Sequence, residues 1–312
     1  MSTVPGPHGV IVVDKPAGMS SAHVVNVIKR ILNVARVGHT GTLDPIATGV
    51  LPLCVGEGTK LAGYLLAEEK RYLATFALGA TTDTLDRTGQ VTARADDAAV
   101  AAITDAQLAC AVQQFVGEIA QMPPMYSALQ VNGERLYKAA RRGEEVPRQA
   151  RPVTVFAATI CQRTDATVQI DVHCSKGTYI RSLIDDIGKV LGVGAHMTEL
   201  RRTQSGRFTL AQALPQAAWQ REAALAQLVP LGAMTDLPQL VVADSAIRRV
   251  RDGKPSPLRD LLVAPADAAR AGTSAFLLTT SAGELLAVAT AHDGRVRYER
   301  GFVGDRSDGN AS

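Results

Sequence analysis

Residues 37–51 of the chain read VGHTGTLDPIATGVL, with three glycines, three threonines and one proline between two apolar segments. This composition predicts a loop over residues 37–49. Its glycines permit backbone conformations and close approaches that other residues resist, and Pro45 biases Asp44 toward an extended backbone. Asp44 is therefore a carboxylate on a constrained backbone. From the residues alone, two interpretations stay open: an Asx-type turn in which Asp44 caps its own loop, or a carboxylate held rigidly for a function.

The segments on both sides of this loop have the periodicities of strands and helices. Apolar residues recur at helical spacing after a serine cap, and β-branched or alternating apolar residues mark the extended runs. Strands are predicted over residues 9–13, 50–55 and 71–78, and helices from Ser20 or Ser21 to Leu32 and over residues 57–66. On the strand over 71–78 the residues sharing one face are Tyr72, Ala74, Phe76 and Leu78.

The middle of the chain alternates irregularly between helical and extended patterns. The segment QMPPMY at residues 121–126 cannot be a helix because two prolines break it. Helices are predicted from Thr104 to about residue 116, around residues 134–142 and over residues 178–191 before Gly192, with adjacent antiparallel strands over 152–162 and 167–174 and a polar loop over 81–90. This order predicts an α+β fold with a mixed, mainly antiparallel sheet flanked by helices, not a doubly wound parallel sheet.

The last third of the chain changes pattern twice. Residues 212–240 are rich in Ala, Gln and Leu and predict helix, and short β-like runs follow over residues 239–242, 275–279, 285–289 and 295–302. Such evenly spaced runs predict a small β-barrel-like module. We therefore expect two domains, residues 1–237 and 238–312, with a disordered tail from Gly304.

Composition excludes several classes of protein. The chain has 312 residues, 46% of them hydrophobic, and 33 Lys and Arg against 30 Asp and Glu, so wholesale disorder is not expected. No apolar run reaches the roughly 18 residues of a membrane span. The N-terminus also lacks the basic and then apolar pattern of a secretory signal. We expect a soluble, cytoplasmic protein.

Neither a metal nor a nucleotide cofactor is expected. The cysteines form no C-x-x-C pair and have no histidine at zinc-ligand spacing, and no P-loop motif is present. The cysteines are predicted to be small buried hydrophobes in a reducing compartment. They are Cys54, Cys110, Cys161 and Cys174.

Basic residues cluster in three places along a nearly neutral chain. The clusters are residues 134–151, then Arg201, Arg202 and Arg207, then Arg248, Arg249, Arg251 and Lys254. One cluster alone is typical of a solvated face. Three together favour a polyanionic partner, with phosphate contacts that depend on salt.

Four segments, in order, resemble the motifs of the TruB family of pseudouridine synthases. The sequence over residues 37–51 is similar to the family's catalytic motif, and DKPAGMSS at 14–21 to its lysine- and proline-containing motif. KRYLATFALGATTDTLDRT at 70–88 resembles the tyrosine-bearing strand and following loop, and CSKGTYIRSLID at 174–185 the arginine-bearing turn. The resemblance extends from about Gly9 to Leu210. It implies the pseudouridine synthase fold.

The resemblance implies isomerisation of uridine to pseudouridine at position 55, in the T-loop of tRNA. Uracil would be detached at N1, turned and rejoined through C5, which requires no metal, redox equivalent or ATP. Asp44 lies where the family has its essential aspartate. It would attack C1′ or C6 or assist deprotonation of the ribose, and the sequence leaves these routes open. Tyr72 matches a tyrosine that stacks on uracil and handles a proton. Arg181 matches the aspartate's partner, which would lower the pKa of Asp44.

Further positions match residues that the family uses to bind the RNA. The target base must be flipped out of the T-loop, and His39 is expected to stack in the vacated space. Tyr179 and Leu200 would line the uracil pocket, and Lys60 would contact a phosphate. Residues 121–151, with Tyr126 and Tyr137 among basic side chains, resemble a mobile insertion that closes over the T-arm. The C-terminal module resembles, weakly, a PUA-type RNA-binding domain.

We expect an enzyme that acts as a monomer without an obligate protein partner, and three alternatives stay open. The first is a relative that depends on a guide RNA and partner proteins, which the chain's own basic insertion disfavours. The second is an RNA chaperone in which no chemistry occurs. The third is an N-glycoside hydrolase, for which Asp83 or Asp86 would supply the second carboxylate that such enzymes usually need.

Overall fold

A computed structural model describes residues 6–127, 129–131, 133–144, 146–257, 261, 275–292 and 295–302. Its strands are β1 (Gly9–Lys15), β2 (Val37–His39), β3 (Thr48–Val55), β4 (Lys70–Leu78), β5 (Ala80–Thr82), β6 (Val91–Arg94), β7 (Gly117–Gln121), β8 (Gln130–Val131), β9 (Glu134–Arg135), β10 (Arg151–Thr164), β11 (Thr167–Cys174), β12 (Ala195–Ser205), β13 (Phe208–Thr209), β14 (Val229–Pro230), β15 (Gln239–Val241), β16 (Phe276–Thr279), β17 (Leu285–His292) and β18 (Arg295–Gly301). Its α-helices are α1 (Ser21–Leu32), α2 (Ala62–Leu66), α3 (Asp97–Ala101), α4 (Asp105–Gln113), α5 (Leu136–Arg141), α6 (Ile180–Val190), α7 (Arg221–Ala226) and α8 (Ile247–Arg251).

A large sheet organises the first three quarters of the chain. Its strand order is β14-β1-β3-β12-β4-β11-β10-β7, with β2 paired to β3 and β13 to β12. The β12–β3 pairing is parallel and the other pairings in this sheet are antiparallel. The predicted α+β class with a mixed, mainly antiparallel sheet is confirmed.

Strand β1 is a continuous apolar run because both of its faces are covered. Ile11 and Val13 belong to a core that includes residues of α1, α4 and α6. Val10 and Val12, on the opposite face, pack in a second core with the C-terminal strands. A strand that is buried on both faces has no alternation of apolar and polar residues. The helices therefore cover one face of β1 and the C-terminal strands cover the other.

Helix α1 is fixed at both ends by local signals. The Ser20 side chain accepts a hydrogen bond from the His23 amide at 3.1 Å, and the helix ends at Asn33 in the left-handed conformation, with φ 53°. Its apolar face buries Val24, Ile28 and Leu32. The predicted helix is confirmed, and its N-terminus lies at the loop that carries Asp44 because Ser21 hydrogen-bonds Leu43.

The central strand β12 is not predicted by the sequence pattern. Eleven residues form it, and they alternate between the core and a more accessible face, with arginine, threonine and glutamate among them. This polar content hid the extended pattern, which is stabilised by β3 and β4 on either side. The loop predicted over 37–49 likewise begins with the short strand β2.

Two further expectations are wrong. Residues 212–240 are mostly irregular, with the six-residue α7 and short 3₁₀ turns, because Pro215 and Pro230 interrupt the helical composition. Of the cysteines, Cys54 and Cys174 are buried, but Cys110 and Cys161 are exposed.

The short runs predicted near the C-terminus form a four-stranded sheet in the order β15-β16-β17-β18. This small sheet packs on the large one through a shared core that contains Leu277, Val288 and Phe302. The boundary at residue 237/238 and the barrel-like closure remain predictions, and the tail from Gly304 lies outside the described residues. In the part of the chain that the structure describes, no helix has the length and hydropathy of a membrane span.

Gly49 provides a test of the packing between β3 and β12. Its φ is +103°, and a Cβ there would lie 2.2 Å from the carbonyl oxygen of Arg202. We expect Gly49→Ala to lower the free energy of unfolding by on the order of 1–3 kcal/mol, measured by urea denaturation. The control is Gly63→Ala on α2, where a Cβ meets nothing within 4 Å; it should be neutral or stabilising by about 0.5–1 kcal/mol. Equal effects of the two substitutions would contradict the packing argument.

Candidate active site

The loop that carries Asp44 is held by hydrogen bonds on both sides. The Thr40 amide donates to the Pro52 carbonyl at 3.1 Å. The Leu43 amide donates to the Ser21 hydroxyl at 2.9 Å, and that hydroxyl donates back to the Leu43 carbonyl at 3.1 Å. These bonds join the loop to β3 and to the first residue of α1, so the position of Asp44 is fixed by the fold.

The carboxylate of Asp44 forms a two-point ion pair with Arg181, in the first turn of α6. Arg181 Nε lies 2.9 Å from Asp44 Oδ2, and Nη2 donates to Oδ1 at 3.3 Å. The guanidinium also donates to the carbonyls of Thr84 and Tyr126, each at 2.8 Å, and lies 3.8 Å from the Asp86 carboxylate. Of the two interpretations of Asp44, the structure therefore favours the carboxylate held rigidly by a distant partner.

The electrostatic balance at Asp44 differs from the sequence prediction. Burial raises the pKa of Asp44 above its ordinary value, and the positive charge of Arg181 offsets only part of this increase. The nearby Asp86 carboxylate raises the pKa further, and Lys15 lowers it. Arg181 lowers the pKa of Asp44 as predicted, but the net pKa is raised because desolvation is the larger effect.

A cavity of about 590 Å³ opens beside this ion pair. Five of the predicted site residues line it together: Asp44, Tyr72, Tyr179, Arg181 and Leu200. Five cationic side chains also line it, namely Lys70, Arg151, Lys176, Arg181 and Arg202, and Asp44 is the one acidic residue among the lining residues that the structure describes. The cavity thus combines a single carboxylate with a strongly positive wall.

The two central strands provide an aromatic and an apolar wall. Tyr72 on β4 is 8% exposed and Leu200 on β12 is 7% exposed. Burial raises the pKa of the Tyr72 phenol, although the nearby charge of Arg202 lowers it in part. The phenol is therefore protonated at neutral pH, and its ring is available to a flat ligand that enters beside Asp44.

Tyr179 is positioned by a glutamine that the sequence analysis did not single out. The Tyr179 amide donates to Gln121 Oε1 at 2.7 Å, and Gln121 Nε2 donates to the Tyr179 carbonyl at 3.0 Å. Gln121 is 3% exposed and ends β7, just before the two prolines. Its identity carries no sequence signal, because the pairing joins residues 58 positions apart.

Two predicted contact residues lie away from this cavity lining. His39 ends β2 and is paired in register with Leu53. Lys60 forms an ion pair with Glu57, donates to the Gly301 carbonyl at 2.7 Å and has its ammonium 5.2 Å from the centre of the Phe302 ring. Lys60 therefore faces the small sheet, and the RNA-contact roles assigned to His39 and Lys60 stay predictions.

Lys15 is a second residue to which the sequence analysis gave no role. It is fully buried, and its ammonium donates to the carbonyls of Met19, Pro16 and Pro45 at 2.6, 2.9 and 3.3 Å. Pro45 follows Asp44 directly, so Lys15 fixes the second side of the loop. Burial lowers the pKa of Lys15 to about 8, while Asp44 raises it in part.

The basic insertion contacts the site from the other side. Tyr126 accepts a hydrogen bond from Arg181, as described above, and Ser127, Leu129 and Arg151 line the cavity. Arg148 donates to the Pro123 carbonyl at 2.9 Å. In the described part of the chain, no group of three or more His, Cys, Asp or Glu side chains is placed to hold a metal ion.

Two family models match consecutive parts of the chain. The model described as TruB family pseudouridylate synthase (N terminal domain) matches residues 29–180, and the tRNA pseudouridylate synthase B C-terminal domain matches residues 181–231.

Curated relatives named tRNA pseudouridine synthase B are 45–49% identical to this chain over the aligned residues. tRNA pseudouridine synthase B of Salmonella typhimurium is 49% identical over 64% of this chain and 63% of its own length. The enzyme of Aeromonas salmonicida is 46% identical over 77% and 74%, respectively, and that of Shewanella baltica 45% over 79% and 80%. The match thus spans less than two thirds of the Salmonella relatives.

Solved structures are similar over nearly the whole chain. A crystal structure of a Cbf5-Nop10-Gar1 complex gives a TM-score of 0.71 at 28% identity, over 95% of this chain and 85% of that chain. An H/ACA RNP bound to a substrate RNA containing 2′-deoxyuridine gives 0.69 at 25% identity, over 97% and 92%. The chain therefore has the same fold as the matched chains of these two structures.

The Asp44–Arg181 pair predicts the direction of a pKa change. Because the guanidinium stabilises the ionised carboxylate, Arg181→Met should raise the pKa of Asp44 above its wild-type value, and Arg181→Lys should raise it less. Titration of ¹³Cγ-labelled aspartate by NMR measures this directly. An unchanged or lowered pKa in Arg181→Met would show that the ion pair does not control the carboxylate.

Lys15 predicts a change of stability with pH. Its pKa is about 8 in the fold against an ordinary 10.5, so between these values the unfolded chain binds more protons. This group therefore makes the free energy of unfolding rise with pH by up to about 1.4 kcal/mol per pH unit. In urea denaturation, we expect the free energy of unfolding of the wild type to increase relative to that of Lys15→Met as the pH rises from about 8 to about 10. The control is the exposed lysine variant Lys29→Met. A difference that is flat or falls with pH would contradict the burial of a charged ammonium.

Proposed function

The chain belongs to the TruB family of pseudouridylate synthases, and on that premise we propose that it converts uridine to pseudouridine at position 55, in the T-loop of tRNA. The observation that carries the proposal is the Asp44–Arg181 pair at a cavity lined by Tyr72, Leu200 and five cations. A carboxylate held on two points beside an aromatic ring and an apolar wall suits a flat base attached to a ribose. The cations suit the phosphates around it.

The proposed reaction exchanges one bond to C1′ for another. The N1–C1′ bond breaks, the uracil turns within the cavity, and C5 bonds to C1′. The hydrogen of C5 is lost as a proton, and N1 gains one, so the product is an isomer of the substrate. Asp44 acts on the ribose or the base, by attack at C1′ or C6 or by assisting deprotonation of the ribose. The family relationship does not choose among these routes.

The remaining residues have roles in binding and proton handling. Tyr72 stacks on the uracil, and its neutral phenol holds or passes a proton. Leu200 and Tyr179 complete the base pocket. Because the base lies inside the T-loop, it must be flipped out at a cost of a few kcal/mol, and His39 offsets part of that cost by stacking in its place. We assign Lys60 a phosphate contact at the edge of the bound RNA.

The larger contacts with RNA involve two further parts of the chain. Residues 121–151 are proposed to close over the T-arm, since their contacts with Arg181 already reach the site. Residues 238–312 are proposed to form a PUA-like RNA-binding domain that follows a catalytic domain of residues 1–237. The enzyme is proposed to act in the cytoplasm as a monomer, without a cofactor, metal or obligate protein partner.

The alternative reactions are weighed by the surroundings of the other carboxylates. Asp86 Oδ1 accepts hydrogen bonds from the side chains of Thr84 and Thr88, and Asp83 Oδ1 accepts one from the Gln90 amide. Neither carboxylate is part of the cavity lining. Asp86 lies near Asp44 through their shared contact with Arg181, but neither Asp83 nor Asp86 faces the cavity as a second acid for hydrolysis of the N-glycosidic bond, which supports isomerisation over hydrolysis.

Dependence on partners is the strongest competing proposal. The similar solved structures are a complex with Nop10 and Gar1 and an RNP bound to a substrate RNA. The 45–49% identical relatives, which are more similar in sequence than these 25–28% identical structures, are named tRNA pseudouridine synthase B. We therefore propose autonomous action, and activity of the purified chain on a T-arm hairpin tests it.

The decisive experiment measures release of tritium from C5. A T-arm hairpin labelled at C5 of its uridines should release tritium into water with the purified wild type, since the C5–H bond is replaced by C5–C1′. Asp44→Asn should abolish release while the hairpin still binds. The matched control Asp97→Asn, at an exposed carboxylate on α3, should keep wild-type activity.

Other outcomes of this experiment identify the alternatives. Release that survives in Asp44→Asn would remove Asp44 from the reaction. Tight binding by the wild type without release from hairpin or full tRNA would favour an RNA chaperone or a partner-dependent enzyme. Free uracil as a product would favour hydrolysis.

A further inference from the structure

Arg202 is the most deeply buried of the five cavity arginines and lysines named above. It lies on the central strand β12 and is 1% exposed. In register, it pairs with Tyr72 of β4 on one side and with Gly49 of β3 on the other. A single residue of the sheet thus adjoins both the aromatic wall of the cavity and the end of the loop that carries Asp44.

The guanidinium of Arg202 joins the two ends of that loop. Its Nε donates to the Val50 carbonyl at 2.7 Å, and its Nη2 donates to the Gly41 carbonyl at 3.2 Å. Gly41 precedes Asp44 by three positions and Val50 follows it by six. The side chain therefore clamps the loop at both ends, as a planar group with several donors in fixed directions can do.

Two glycines of the loop are explained by this contact. A Cβ at Gly49 would lie 2.2 Å from the Arg202 carbonyl oxygen, and a Cβ at Gly41 would lie 3.4 Å from Arg202 Nη1. Both glycines have positive φ, +103° and +132° respectively. The absence of a side chain at Gly49 thus leaves room for the backbone of Arg202, and its absence at Gly41 leaves room for the guanidinium.

Arg202 also differs from Arg181 in its charge balance. Arg181 is paired with Asp44, whereas no acidic side chain of the described residues forms a salt bridge with Arg202. Its charge is close enough to the Tyr72 phenol to oppose the effect of burial on that group. A buried cation without a carboxylate partner is costly, so its place beside the phenol points to a role in the cavity.

We propose that Arg202 is a positioning residue of this site, which clamps the loop that carries Asp44 and orients the hydroxyl of Tyr72. This inference rests on the proposed function, because it assigns Arg202 to the same reaction. Its action passes through Asp44 and Tyr72. Removing it should therefore slow the chemical step while leaving the wider RNA-binding surface in place.

The test compares Arg202→Met and Arg202→Lys with a matched control. The control is Arg71→Met, on the solvent side of β4 next to Tyr72, where the arginine is 53% exposed and pairs with Asp171. We expect Arg202→Met to lower kcat for tritium release by at least ~100-fold, since small misplacements of reacting groups have effects of this size. The KM for the hairpin should stay within about threefold. Arg202→Lys should recover part of kcat, and Arg71→Met should keep wild-type values.

A second measurement does not depend on activity. Hydrogen–deuterium exchange should be faster over residues 40–50 in Arg202→Met than in wild type, with unchanged protection in α1 and α6. NMR titration of ¹³C-labelled tyrosine should show a higher pKa for Tyr72 in Arg202→Met, because the positive charge that lowers it is gone. Both differences should be absent in Arg71→Met.

The kcat, exchange and titration results for Arg202→Met distinguish a positioning role from a general loss of stability. A kcat within about threefold of wild type in Arg202→Met would overturn the proposal. Faster exchange throughout the chain would also overturn it, because it shows a general loss of stability. If the exchange and titration differences are present but the wild type releases no tritium, the loop clamp is retained and the proposed function fails.

Discussion

The ion pair between Asp44 and Arg181 is the interaction on which the arrangement of the site depends. The carboxylate is partly buried at the edge of the cavity, and a cationic partner favours its ionised form; the two-point contact keeps it beside the cavity in a fixed orientation. The guanidinium of Arg181 is itself fixed in orientation, because it also donates to the carbonyls of Thr84 and Tyr126. Three segments far apart in sequence therefore meet at one side chain.

The sheet supplies the rigidity that this pairing needs. Strands β1 and β3 are covered on both faces, so the loop between β2 and β3 projects from a fully buried element. Lys15 and Ser21 hold the loop from the side of β1 and α1, and Arg202 holds it from β12. Because these supports come from two strands and a helix, the position of the loop depends on several elements as well as on its own turn, which the Ala47 amide and the Asp44 carbonyl close.

Charge is distributed over the cavity in a way that composition conceals. The chain is nearly neutral, with 33 basic and 30 acidic residues, yet five cations and one carboxylate are found among the described residues that line the cavity. Burial acts on the charges at the cavity and beside it, since it lowers the pKa of Lys70 in the lining and of the neighbouring Lys15 to about 8 and raises that of Asp44. A polyanionic ligand would relieve part of this unbalanced positive charge.

The sequence by itself determined the elements whose periodicity is local and the loop whose composition is unusual. Helix α1 with its serine cap, the alternating face of β4 and the constrained Asp44 follow from neighbouring residues, and the family motifs place Tyr72 and Arg181 with them. The tertiary structure decided β12, which is polar in sequence and extended because β3 and β4 pair with it. It also decided the net pKa direction of Asp44 and the orientation of Lys60 toward the small sheet. These depend on burial and on contacts between residues far apart in the chain, such as the 152 positions between Val50 and Arg202, which no local pattern encodes.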